Sequence, residues 1–248
     1  YILLLLNFFV LTDTATTNIY TLSLHDALPI LFLRLLGRLG TASLAATNIA
    51  FNINTFAFMP MIGLGIAVSV LVGQRLGAND ITNAQRVVWS GFHVTGLYMG
   101  TVALLYVAVP GIFLYPFSLN ASQAEFGEIR DIAVVLLRFV ALYSLFDTMN
   151  IIFASAIKGA GDTRFVMRMI FFLSVVFLVM PSWIAVRFFH ADVYKLWMIA
   201  TFYVCALGTG FLIRFLGGKW KTMRVIEIPP PVFIAATPPE TPGSEIGI

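Results

Sequence analysis

Charged side chains are scarce in this chain. Asp, Glu, Lys and Arg make up 11% of its 248 residues, where soluble domains carry about 25%. Hydrophobic residues make up 59%, more than a water-soluble core needs, so the class is integral membrane. Cysteine is nearly absent: Cys205 alone cannot close an internal disulfide, and its apolar surroundings point to packing rather than redox chemistry. No Cys/His cluster with metal-ligand spacing is present, so neither a metal nor an organic cofactor is expected. A net charge of +3 is not the strongly basic balance of a nucleic-acid binder. The 15 Lys and Arg residues fall mostly in short loops, where they set orientation in a bilayer. Ten-residue segments of alternating polarity, the mark of a membrane β-barrel, are missing too.

What is present are apolar runs of about 20 residues or more, matching the roughly 30 Å hydrocarbon core. The fold class is all-α integral membrane. Five complete spans are predicted, at about 42–72, 88–117, 132–157, 165–186 and 196–215, with residues 30–39 as the tail of another helix. The connections LGAND, SLNAS, KGAGDTR and HADVY carry turn residues. Residues 228–248 are rich in proline without periodicity and read as a disordered tail. Nine Lys and Arg residues flank the spans on the side of the C-terminus, against five on the other side. The expectation is a multi-pass protein of the inner (plasma) membrane with its C-terminus in the cytoplasm.

Asp147, in LYSLFDTMNIIFASAI, is the one carboxylate inside an apolar span. A charge at that depth costs about 2.5–3.5 kcal/mol on insertion scales, so it marks a cavity or a partner. Withdrawn from water, a carboxyl can exchange a proton, or hold a cation where other oxygens converge. The alternative is a carboxyl hydrogen-bonded to a neighbouring helix. Tyr143 and Asn150 lie at i−4 and i+3, on the same helical face. Arg138, nine residues away on the opposite face, is expected to snorkel to the interface.

A second polar stripe runs along the first span: Asn48, Asn52 and Thr55, with Asn54 off its line. Buried amides line pathways or act as glue between helices, and the stripe fits either. Pro60 with Gly63 and Gly65 reads as a helix kink that frees backbone carbonyls. Gly96 and Gly100 form a GxxxG expected to allow close helix packing. His93 reads as a satisfied interior histidine, and LGGKWKTMRV as a Trp-anchored interfacial exit. Residues 159–162 read GAGD, the GxGD pattern of intramembrane aspartyl proteases. That mechanism needs two carboxylates facing each other from different helices, whereas Asp162 falls in a basic loop continuous with the Asp147 helix. No enzyme is expected, and no Ser-His-Asp pattern, HExxH or P-loop is present.

The segment SLAATNIAFNINTFAFMPMIGLGIAVSVLVGQRLGAND resembles the eighth helix, with its flanks, of the multidrug and toxic compound extrusion (MATE) family. FDTMNIIFASAIKGAGDTR resembles the end of the family's tenth helix and its loop, and LGGKWKTMRVIE the exit of the twelfth. The resemblance covers about residues 31–227. It implies about twelve helices in two six-helix bundles that alternate access, of which this chain would supply the C-terminal bundle with a truncated seventh helix. It also implies export of organic cations or drugs, amphipathic small molecules, in exchange for Na⁺ or H⁺, with the N-terminal six-helix half as partner within the bilayer. The coupling acid of the tenth helix falls on Asp147, and Tyr143, Asn150, Asn48, Asn52 and Thr55 would line the cavity. Two other readings stand beside it. One is a lipid-linked saccharide flippase of the same superfamily, which would favour a basic cavity. The other is a non-transporting membrane module, in which Asp147 would serve assembly only.

Residues 12–30, TDTATTNIYTLSLHDALPI, carry a different resemblance. They are similar over most of their length to the translation of a common sequencing-library adapter. This implies that residues 1–30 are an artefact, that His25–Asp26 is no site, and that the chain is a fragment.

Overall fold

The computed structural model describes Gly37 and residues 40–119, 123–189 and 191–223. The adapter-like segment, the rest of the helix tail at 30–39 and the proline-rich stretch 228–248 lie outside the described residues. Helix α1 is Thr41–Gly77, α2 Ile81–Ala108, α3 Pro110–Ser118 and α4 Gln123–Gly159. Helix α5, Thr163–Leu173, passes through a π-helical turn, Ser174–Val179, into α6, Met180–Phe188. Helix α7 is Val193–Leu216, followed by a 3₁₀ turn at Lys219–Thr222. Five stretches are long and apolar enough to cross a bilayer: Thr41–Gly77, Ile81–Ala108, Phe126–Gly159, Thr163–Phe188 and Val193–Leu216. No strand occurs among the described residues. The architecture is an all-α membrane bundle.

The turns follow from their residues. Asn79 takes a left-handed backbone (φ 58°) to end α1, a conformation asparagine tolerates better than most. Asp80 then caps α2, accepting from the Asn83 side-chain amide at 2.7 Å and the Asn83 backbone N–H at 3.2 Å. Those two bonds, with Arg75 and Arg86 nearby, hold the Asp80 carboxyl below its usual range. The cap starts α2 at Ile81, well before the position 88 expected from hydropathy, because polar residues fill its first two turns. The stretch expected as one span to 117 is instead two helices. Pro110 disfavours helix at the residue before it; Val109 leaves the helical region (φ −139°, ψ 53°) and Pro110 opens α3 at its first position. Gly161 (φ 95°) makes the turn after α4.

Helix α4 is central and packs on α1, α2 and α7. Half of its most apolar window is buried, against a third or less in the other spans. The crossings are made by small residues. A Cβ on Gly65 would stand 2.9 Å from Ile151 Cγ2 and 3.0 Å from Ser155 Oγ, and one on Gly159 would overlap the Ser69 carbonyl. Gly65, Ser69 and Gly73 of α1 thus face Ser155 and Gly159 of α4, each series at four-residue spacing. Gly208 brings α7 onto the Phe146 carbonyl of α4 in the same way.

The fold departs from three sequence expectations and adds to a fourth. Gly65 is a close-packing position against α4, and the helix α1 continues through Pro60. A Cβ placed on Gly63, Gly96 or Gly100 would meet nothing within 4 Å, so the GxxxG of α2 is not a crossing. His93 is exposed rather than interior. Trp220 is buried, stacks on Phe215 at 4.9 Å and donates its indole N–H to the Phe215 carbonyl at 2.9 Å, so it anchors inward.

Gly159→Ala should force α1 and α4 apart and cost about 1–3 kcal/mol, the range for overpacking. Gly100→Ala, pointing into open space, should change stability by no more than about 0.5 kcal/mol. Unfolding of both variants in one detergent checks the contrast.

Candidate functional site

Asp147 lies on α4 between two of the crossings. The preceding residue, Phe146, meets Gly208 of α7 through its carbonyl. The following residue, Thr148, sits against α1, its hydroxyl 3.7 Å from Met61 Sδ. Asp147 keeps 6% of its surface. Its hydrogen-bond partner is Asn150, whose amide donates to Oδ1 at 3.1 Å. The nearby hydroxyls go to their own helix: Thr148 donates to the Ser144 carbonyl at 3.0 Å and Ser144 to the Val140 carbonyl at 2.5 Å. The ion pairs among the described residues are Arg75–Asp80 and Arg214–Asp162, and Asp147 is in neither. Arg138 is exposed, away from it.

Two phenols stand within electrostatic reach of the carboxyl. Tyr143 is buried on the same helix. Tyr203 comes from α7, and sequence reasoning missed it. Its hydroxyl is 2.9 Å from Ser174 Oγ, in the π-helical turn. Ser174 donates to the Ile170 carbonyl, so Tyr203 is the donor in the pair, since a serine hydroxyl has one proton. Tyr203 and Ser174 are polar residues inside apolar runs, a signal that was available, but 29 residues separate them and only the fold shows the pairing.

The structure brings Tyr143 and Asn150 to Asp147. It does not bring Asn48, Asn52 and Thr55 there: all three are exposed on α1, and Thr55 donates to the Phe51 carbonyl at 2.8 Å. In the stretch that carries this stripe, the inward polar residues of α1 are Thr47, which accepts from the Trp197 indole at 3.3 Å, and Asn54, whose buried Oδ1 has no protein donor. Pro60 falls next to Met61, level with Thr148 and hence with Asp147. Lacking an N–H, it leaves the Phe56 carbonyl without its helical donor.

Asp162 of the GAGD motif is engaged elsewhere. It pairs with Arg214, whose guanidinium lies 4.1 Å from the Phe165 ring centroid. The pair ties the α4–α5 turn to the last turn of α7. A buried carboxyl with one amide donor and no cation is stable as the neutral acid, or beside a bound cation. The chemistry available at Asp147 is therefore exchange of a proton or of a cation.

A family model described as MatE matches residues 20–184, a range that begins inside the adapter-like stretch. A probable multidrug resistance protein NorM of Thermotoga maritima is 25% identical over 198 residues, 79% of this chain and 41% of that protein. The probable NorM of Pasteurella multocida is 33% identical over 145 residues, 56% of this chain and 28% of its own. That of Brucella suis is 28% identical over 138 residues, 56% and 29% respectively. The chain spans less than half the length of these curated relatives.

Asp162→Asn or Arg214→Gln should each cost about 1–3 kcal/mol, between the values for exposed and fully buried pairs. The double variant should cost less than the sum of the two, and a double-mutant cycle on unfolding in detergent measures it.

Proposed function

Given that the chain belongs to the MatE family, we propose that it is the C-terminal bundle of a secondary active efflux transporter. The transporter exports organic cations or drugs in exchange for Na⁺ or H⁺. The observation that carries this reading is the unpaired, buried carboxyl of Asp147 on the central helix. An ionisable group kept at that depth without a counter-charge is a functional site by default in a membrane protein. The names of the relatives, probable multidrug resistance proteins, support the efflux class.

Asp147 is the cation-coupling acid, and Tyr143, Asn150 and Tyr203 surround it. The exposed stripe Asn48, Asn52 and Thr55 is the surface turned to an N-terminal half, where it lines the shared cavity and meets an amphipathic substrate. Occupancy of Asp147 by a proton or Na⁺ acts on the crossings that flank it, Phe146 with Gly208 and Thr148 with Met61. The excess of Lys and Arg beside the α1–α2 turn, the α4–α5 turn and the end of α7 favours a cytoplasmic C-terminus in the inner membrane.

Asp147→Asn in the transporter assembled with its other half should abolish ion-driven efflux while leaving membrane insertion intact. The measurement is transport of a fluorescent organic cation into everted vesicles, under a Na⁺ gradient and separately under a pH gradient. Transport retained at the original rate under both gradients would sink the assignment. Loss of insertion along with transport would favour an assembly role for Asp147.

A further inference from the structure

A groove of about 450 Å³ lies between α1 and α2, close to the turn that joins them. Its α1 wall is apolar, with Val68 buried at its base and Ala67 and Leu71 exposed beside it. Gly91 of α2 lets the two helices meet at Val68: a Cβ there would stand 2.5 Å from Val68 Cγ2. Toward the turn the lining becomes cationic, with Arg75 and Arg86 and the amide of Asn83 between them. The lining holds two guanidinium groups and no acid.

Both guanidiniums are only weakly engaged by the protein and keep N–H donors free. Arg75 stands 3.8 Å from Asp80, beyond hydrogen-bond distance, and that carboxylate already accepts two bonds from Asn83. Arg86 reaches the Asn83 amide oxygen only at 3.5 Å. Both arginines are exposed. An open apolar channel inside the bilayer, headed at its edge by two cations with donors to spare, has the two-part chemistry of one phospholipid.

We propose that this groove binds an anionic phospholipid of the leaflet that receives the α1–α2 turn. Its phosphate lies between Arg75 and Arg86, and one acyl chain runs along Ala67 and Leu71. Val94 carries the apolar lining to the groove's end, and the exposed Leu97 of α2 continues the path beyond it. Asp80, paired with Arg75, offsets one of the two cations, and the net positive charge that remains favours an anionic headgroup over a zwitterionic one. The site depends only on the chain spanning a bilayer, so it stands or falls independently of efflux and of Asp147.

The test is native mass spectrometry of the full chain purified in detergent and offered equal amounts of phosphatidylglycerol and phosphatidylcholine with matched acyl chains. A basic side chain near the surface contributes about fivefold in affinity for anionic lipid; with Asp80 offsetting one of the two arginines, the expected preference for phosphatidylglycerol is about fivefold or more. R75Q/R86Q should remove the preference. Ala67→Trp, which fills the groove and keeps both arginines, should remove retained lipid of either kind. Equal retention of the two lipids would overturn the proposal. So would a preference unchanged in R75Q/R86Q, or lipid retention unchanged by Ala67→Trp, which would mean surface attraction without a groove. Displacement of phosphatidylglycerol by millimolar inorganic phosphate would also overturn it, marking a free-anion site. Should R75Q/R86Q fail to fold, Ala67→Trp and the phosphate competition decide between the same outcomes.

Discussion

In hydrocarbon, apolar side chains gain little by leaving lipid for one another, so helices are held where their backbones come close. In this chain that constraint converges on α4. Gly65 and Ser69 of α1 sit against Ser155 and Gly159, and Gly208 of α7 sits against the carbonyl of Phe146. The large residues then fill what the crossings leave open, in two clusters. One is centred on Tyr106, Leu136 and Trp197. The other is centred on Phe153, Phe215 and Trp220.

The position of Asp147 follows from these crossings. A carboxyl on a lipid-facing helix would face hydrocarbon, and one on a loosely packed helix would admit water along its length. On α4, with the neighbouring residues pinned to α7 and α1, it is enclosed without being paired. A fully hydrogen-bonded or ion-paired acid would be locked in one state. An acid with a single amide donor has acceptor capacity left for a proton or a cation, the property a coupling site requires.

Much of this is legible in the sequence, and the reasons differ by element. The five apolar stretches are visible because hydropathy and length alone define a membrane span. Asp147 is visible because no other carboxylate lies inside one. The orientation of α1 is not legible: it is apolar nearly all round, so periodicity does not say which side turns inward. Spacing picks out the stripe Asn48–Asn52–Thr55, yet it is Thr47 and Asn54 that the fold turns inward. Spacing alone makes Gly96–Gly100 look like a crossing, yet spacing shows only that a helix offers a flat face. The true crossing combines Gly and Ser at the same spacing on two helices, and neither half of that pattern stands out alone. The basic residues around Trp220 suggest an interfacial anchor. The 3₁₀ turn after Gly218, left-handed at φ 70°, instead folds the indole back onto Phe215.

The π-helical turn at Ser174–Val179 joins the site to the rest of the bundle in a way that no motif announces. A π turn carries one residue more than the α-helix it interrupts, and such insertions recur at functional positions. Here its first residue, Ser174, receives the Tyr203 hydroxyl, and Tyr203 stands within electrostatic reach of Asp147. The span Thr163–Phe188 is the least engaged with α4 of the spans and packs mainly on α7. The hydrogen bond from Tyr203 to Ser174 ties this span to α7. A change of charge at the carboxyl alters the field on that phenol, and the phenol holds the turn where the helix is least regular. If the coupling step runs through Asp147, Tyr203 and Ser174 give it a direct route to a helix that does not itself carry the acid.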